Sequence, residues 1–158
     1  MKKRITTVLL TVALLVTGCS ASKVYDNEEM LIKDSDTYSK TMYSQNSFQD
    51  GNEEKINIKC GSMEGMYTIW TCTTKEEEEL SMTYDFQVTN GTAKLILIQP
   101  DDTVITLAEK SSQETDTSSE TPENNTETCT LPLKPGQNRI KIVCKDKAKF
   151  TIELTISD

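Results

Sequence analysis

The dipeptide Asn90-Gly91 sits between two runs, Tyr84-Asp85-Phe86-Gln87-Val88-Thr89 and Thr92-Ala93-Lys94-Leu95-Ile96-Leu97, in which apolar residues recur at every second position. A period of two marks a strand with one buried face, because alternate side chains of an extended chain point to opposite sides. Asn-Gly is the preferred pair for a two-residue type I′ hairpin loop, since both positions need positive φ. Closing that turn sets Val88 opposite Ala93, Phe86 opposite Leu95 and Tyr84 opposite Leu97. Turn chemistry and burial then specify the same register, and the chain is expected to be built from antiparallel strands.

The pattern recurs on both sides of this segment. Leu131 and Leu133 precede Lys134-Pro135-Gly136-Gln137, a four-residue loop that would place Leu131 against Ile140. Ile140, Ile142 and Cys144 then alternate with Lys141, Val143 and Lys145, and Phe150, Ile152, Leu154 and Ile156 with Thr151, Glu153 and Thr155, with Asp146-Lys147-Ala148 as the odd-length loop between the two sets. Upstream, Ile56 to Cys60 and Met66 to Trp70 read as strands joined by Gly61 to Gly65, and Val104 to Leu107 follows the Pro100-Asp101-Asp102 turn. Thr37 to Phe48 can add an edge strand before the Asp50-Gly51-Asn52 turn. The sum is an all-β fold, an antiparallel β-sandwich of about seven or eight strands.

A chain of 158 residues has room for one such domain. It contains 17 basic and 25 acidic residues, five cysteines and no histidine. A formal charge of −8 repels phosphate backbones, so a nucleic-acid partner is not expected. The missing histidine removes the commonest general base, the usual partner of catalytic Ser or Cys, and the commonest metal ligand.

The first residues read as a targeting signal. Lys2, Lys3 and Arg4 precede Ile5 to Val16, an uncharged apolar run of twelve residues, which is too short to span a bilayer. Leu15-Val16-Thr17-Gly18-Cys19 resembles the lipobox of bacterial lipoproteins. The resemblance implies cleavage after residue 18 and a diacylglyceryl group on Cys19, whose two chains supply stable anchoring without a spanning helix. The expected location is therefore the extracytoplasmic face of a cell membrane, with the lipid as the membrane contact. Residues 1–18 hold three of the basic residues and none of the acidic ones, so the processed protein carries a charge of −11.

Residues 19–36 are polar and without sustained period, and are expected to form a flexible tether to a domain spanning 37–158. Ser111 to Thr128 (SSQETDTSSETPENNTET) contains no large apolar residue and is expected to be a disordered insertion between strands. With the lipobox, stretches such as VTNGTAKLILIQPDDTVITL and LKPGQNRIKIV resemble small β-sandwich lipoproteins of Gram-positive bacteria. That resemblance implies fold and location, and brings no catalytic residue with it.

Chemistry-bearing residues are sparse. Cys60, Cys72, Cys129 and Cys144 remain after Cys19, an even number that suggests disulfides in an exported chain. Cys129 and Cys144 are the favoured pair, with free buried thiols as the alternative. No C-x-x-C spacing points to zinc, and Glu76 to Glu79 and Asp101-Asp102 lack the spaced oxygens of a calcium loop. No cofactor motif or nucleophile elbow occurs. Trp70, Tyr67, Tyr84 and Tyr43 could serve a sugar-binding sandwich as stacking platforms, although the parity of Trp70 favours the core. The leading expectation is a lipid-anchored, non-enzymatic interaction module whose partner is an unspecified protein or glycan. The alternative is a carbohydrate-binding β-sandwich. A hydrolase using only Asp and Glu is the remote third.

Overall fold

A computed structural model describes residues 21–112 and 126–158. The chain is all-β and antiparallel. After a 3-10 turn (Ala21–Lys23) and the short helix α1 (Glu28–Leu31) come six strands: β1 (Thr37–Asp50), β2 (Glu53–Thr74), β3 (Glu78–Ile98), β4 (Val104–Ser111), β5 (Thr126–Leu133) and β6 (Gly136–Ser157). They pair in the order β1-β2-β6-β3-β4, with β5 added to β3. Among the described residues no helix is long and apolar enough to cross a membrane.

Three of the strands are over twenty residues long, and each bends in the middle. Backbone irregularities fall in one row across the sheet. Met42 in β1 has φ 49°, β2 shifts register between Cys60 and Gly65, Asp146 and Lys147 in β6 have φ 58° and 52°, and Gly91 in β3 has φ 68°. Pairing aligns these sites: Tyr43 lies opposite Cys60, Met63 opposite Ala148, and Asn90 opposite Lys149. A β-bulge bends its strand, and a row of them folds a whole sheet over itself. The result is a two-leaf sandwich. Leaf I consists of β5 with residues 43–50, 53–60, 78–88 and 148–157; leaf II consists of β4 with residues 37–41, 63–74, 92–98 and 136–145.

The bend brings distant parts of one strand together. The indole of Trp70 donates a 2.7 Å hydrogen bond to Glu54 of the same strand, and the Gln45 amide reaches the Ile69 carbonyl at 3.0 Å. One apolar cluster fills the space between leaves, including Ile56, Phe86, Phe150 and Ile152 from leaf I and Leu95, Leu97, Ile140 and Ile142 from leaf II.

The three turns expected at Gly61 to Gly65, at Asn90-Gly91 and at Asp146 to Ala148 are therefore corners, not chain reversals. Val88 lies opposite Phe150 and Ala93 opposite Cys144, both on β6, in place of the hairpin pairing of Val88 with Ala93. Positive φ at glycine serves a bulge as well as a turn, so the same residues satisfy either geometry. Leu131 likewise lies opposite Leu80 on β3 and not opposite Ile140. Residues 134–135 form an arch between leaves, closed by the buried Asn138, whose amide donates to the Lys134 carbonyl at 2.8 Å and whose oxygen accepts from the Lys134 N–H. Alternation specifies which face is buried, and two facing leaves meet that demand as readily as two adjacent strands.

The described part of the expected tether is docked. Val24, Tyr25 and Leu31 are buried, and with Met66, Ile96, Ile98 and Val143 they form a second apolar cluster on the outer side of leaf II. Asn27 caps α1 by accepting from the Met30 N–H, and Tyr25 donates to Glu109 at 2.6 Å. Lys141, fully buried, donates to the Lys33 carbonyl at 2.6 Å and faces Asp36 at 3.6 Å. Arg139 pairs with Asp34. This outer face is too apolar to be left in water, which is the physical reason residues 21–36 form a strap upon it. Residues 1–20, including Cys19, and residues 113–125 of the expected insertion lie outside the described residues. Ser111 and Thr126 to Thr128 belong to strands β4 and β5.

Candidate functional site

Where the strap ends, β1 begins, and the first residues of β1 build the aromatic patch of the molecule. Tyr38 and Lys40 share one face of the strand. At Met42, where φ is 49°, the side-chain alternation breaks without any shift in the β1–β2 register, so Tyr43 and Gln45 continue that face, although the count from 38 to 43 is odd. Tyr67 of β2 completes the group. Its ring meets Tyr38 edge to face with centroids 5.0 Å apart, and meets Tyr43 at 5.4 Å. The Lys40 ammonium lies 3.5 Å from the Tyr67 centroid, 3.7 Å from Tyr43 and 4.6 Å from Tyr38. Tyr43 donates to Gln45 Oε1 at 2.6 Å, and burial pushes its phenol well above the usual range.

Asp36 sets the position of this patch. Its carboxylate accepts from both the backbone N–H and the hydroxyl of Thr68, at 3.0 and 2.8 Å, next to Tyr67 and two residues before Tyr38. One exposed ring, Tyr38 at 43% exposure, thus stands beside an ammonium, a phenol and an amide on a rigid sheet. A flat apolar ring flanked by hydrogen-bonding groups is what a sugar needs, since a pyranose offers an apolar face and an equatorial rim of hydroxyls.

Of the four aromatic residues expected as platforms, Tyr43 and Tyr67 converge here. Trp70 and Tyr84 do not: they are 6% and 5% exposed, held by Glu54 and Glu127, and Tyr84 is pushed up to about 12 by burial and by its bond to Glu127. Tyr38, Lys40 and Gln45 are additional, because the positive φ at Met42 that aligns them breaks the alternation without a signal in the sequence.

The other expected sites fall elsewhere. Cys129 and Cys144, the favoured disulfide pair, are free thiols, as are Cys60 and Cys72. Cys129 lies opposite Met82 in leaf I and Cys144 opposite Ala93 in leaf II, because β5 pairs with β3 and not with β6. Burial pushes the Cys144 thiol far up. Asp101 makes an ion pair with Lys134 at 2.6 Å, which holds its carboxyl down at about 2. Glu78 and Glu79 are exposed at the start of β3. Among the described residues no group of three or more Cys, Asp or Glu side chains is placed to hold a metal.

A concavity of about 290 Å³ lies elsewhere, on the outer face of leaf I, lined by Lys55, Asn57, Thr83, Asp85, Glu153 and Thr155 among others. Asp85 and Glu153 are direct cross-strand partners there. The groove is polar, and the exposed ring beside it, Phe48, is the cross-strand partner of Lys55.

No protein-family model and no curated protein matches the chain. In structure it is similar to carbohydrate binding module CBM6cm-2 from Cellvibrio mixtus lichenase 5A in complex with cellotriose, with a TM-score of 0.36 and 10% identity over 76% of this chain and 89% of that one. It is also similar to a CBM4 structure, with a TM-score of 0.34 and 9% identity over 73% of this chain and 77% of that one. No residue role is transferred from either.

Proposed function

We propose that the processed protein is a non-catalytic, lipid-anchored surface module that binds carbohydrate through Tyr38, Tyr43, Tyr67, Lys40 and Gln45. The observation that carries this reading is the convergence of three tyrosine rings on one ammonium, with the outermost ring open to solvent. Display outside the cytosol rests on the lipobox at Leu15 to Cys19, and the non-catalytic role on the absence of histidine and of any catalytic motif in the sequence. Binding to a panel of soluble polysaccharides by affinity electrophoresis tests the ligand class. At least one polysaccharide is expected to retard the wild type, and Tyr38→Ala is expected to lose at least tenfold in affinity, the loss of about 1.4 kcal/mol typical of an anchoring aromatic. Equal retardation of both proteins by the same polysaccharide, or none by any, contradicts the proposal. Cys19→Ala tests the anchor: release into the medium or failure of processing is expected, and unchanged membrane retention is the opposing result.

A further inference from the structure

Lys40 is held by aromatic rings and not by a carboxylate; Lys94 and Lys145 also lie over a ring, that of Tyr25, but among the described residues only Lys40 lies over three. Lys55, Lys110, Lys134, Lys141 and Arg139 each face a carboxylate, whereas among the described residues no carboxylate lies within ion-pair distance of Lys40. Its neighbours are three tyrosine rings. Ring quadrupoles hold an ammonium in place without neutralising it, so its charge and its N–H groups remain available on the side the rings leave open. The surrounding sequence agrees. In a chain with 25 acidic residues, β1 has none from Thr37 to Gln49, and Lys40 is its sole charge over that span.

We infer that the ligand of the tyrosine site is an acidic glycan, with a uronate carboxylate bound by the Lys40 ammonium and the sugar ring laid on Tyr38. This rests on the carbohydrate reading above and narrows it. The protein's overall negative charge does not prevent such binding, because charges beyond a Debye length of about 8 Å are screened at physiological ionic strength while Lys40 is in contact. A pre-positioned ammonium also costs little side-chain entropy on binding, since the rings already restrict its rotamers. An acidic peptide offers the same carboxylate but no apolar ring face for Tyr38, which is why the glycan is preferred.

The test compares polygalacturonate, its fully methyl-esterified form and polyglutamate by isothermal titration with the wild type, Lys40→Gln and Lys40→Arg. The acid polysaccharide is expected to bind the wild type at least tenfold more tightly than the ester, and polyglutamate more weakly than both. Lys40→Gln is expected to weaken binding of both polymers and to bring acid and ester to equal affinity, and Lys40→Arg to restore the preference for the acid. Equal binding of acid and ester, a preference that survives in Lys40→Gln, or polyglutamate binding equal to polygalacturonate overturns the inference. Tyr38-dependent binding of the ester without acid preference leaves the carbohydrate reading standing and removes this one; no binding of any polysaccharide removes both.

Discussion

The indole N–H of Trp70 donates to Glu54, sixteen residues earlier in the same strand, at 2.7 Å. A straight strand would separate the two by roughly 50 Å at about 3.3 Å per residue, so this bond exists only because β2 folds over the core. Glu54→Ala is expected to cost about 1–3 kcal/mol by leaving the indole donor of the buried Trp70 unpaired. A double-mutant cycle with Trp70→Phe, read by urea unfolding, is expected to give a coupling of at least ~0.5 kcal/mol. Additive effects would show that the contact contributes nothing across the bend.

Gly91 marks the same bend on β3. A methyl group there would lie 2.6 Å from the Asp146 carbonyl oxygen, 2.7 Å from that of Lys145 and 2.9 Å from Ala148 Cα, all backbone atoms that cannot rotate away. Gly51, in the exposed β1–β2 turn, also has positive φ but open space around it. Gly91→Ala is expected to cost about 3 kcal/mol or more, and Gly51→Ala only about 1–2 kcal/mol for its left-handed backbone. Similar midpoints for the two variants in urea would refute the packed corner.

These corners also show what the sequence made legible. Period-two alternation identified the side chains that fill the space between the leaves, and the residues expected to face each other across hairpins do enter one core. Whether the chain reverses or continues at a positive-φ glycine is decided by strands far away in sequence, which alternation does not encode. The strap escaped for a different reason: its apolar residues Val24, Tyr25 and Leu31 follow no sustained period because they touch leaf II through a turn and one short helix. Asn27 followed by Glu28 and Glu29 was the available signal, an N-cap with acidic residues in the first turn. At the site, Tyr43 and Tyr67 were readable as aromatic residues of strands, but the break in alternation at Met42, which puts Tyr43 and Gln45 on the face of Tyr38 and Lys40, was not.

The strap is expected to open without the rest of the fold. Lys141→Ala removes the donor to the Lys33 carbonyl and leaves a cavity beneath the strap, while leaf I is untouched. Amide hydrogen exchange should accelerate at least tenfold in residues 24–36 and remain unchanged in residues 148–156. Uniform acceleration across both segments would mean that strap and sandwich unfold together.

Stability is expected to fall as pH rises above about 9. Burial raises Cys60, Cys72, Cys129 and Cys144 above the thiol reference of 9.0, and raises Tyr25, Tyr43 and Tyr84 above the phenol reference of 10.0. These groups ionise first in the unfolded chain, so their contribution is complete below pH 9 and declines as pH rises from there through the folded values. Lys141 acts in the opposite sense, because burial lowers it, but it is one group against seven. Urea midpoints at pH 7, 9 and 10.5 check the direction, and Cys144→Ala should make the alkaline decline shallower. A midpoint that rises with pH would contradict the buried placement of these thiols and phenols.

The most direct measurement is a two-dimensional NMR titration with an oligosaccharide from whichever polysaccharide binds. Shifts confined to Tyr38, Lys40, Tyr43, Gln45 and Tyr67 are the predicted result. Shifts centred on Asn57, Asp85 and Glu153 in the leaf I groove, with the tyrosines unmoved, would contradict the assignment of the site.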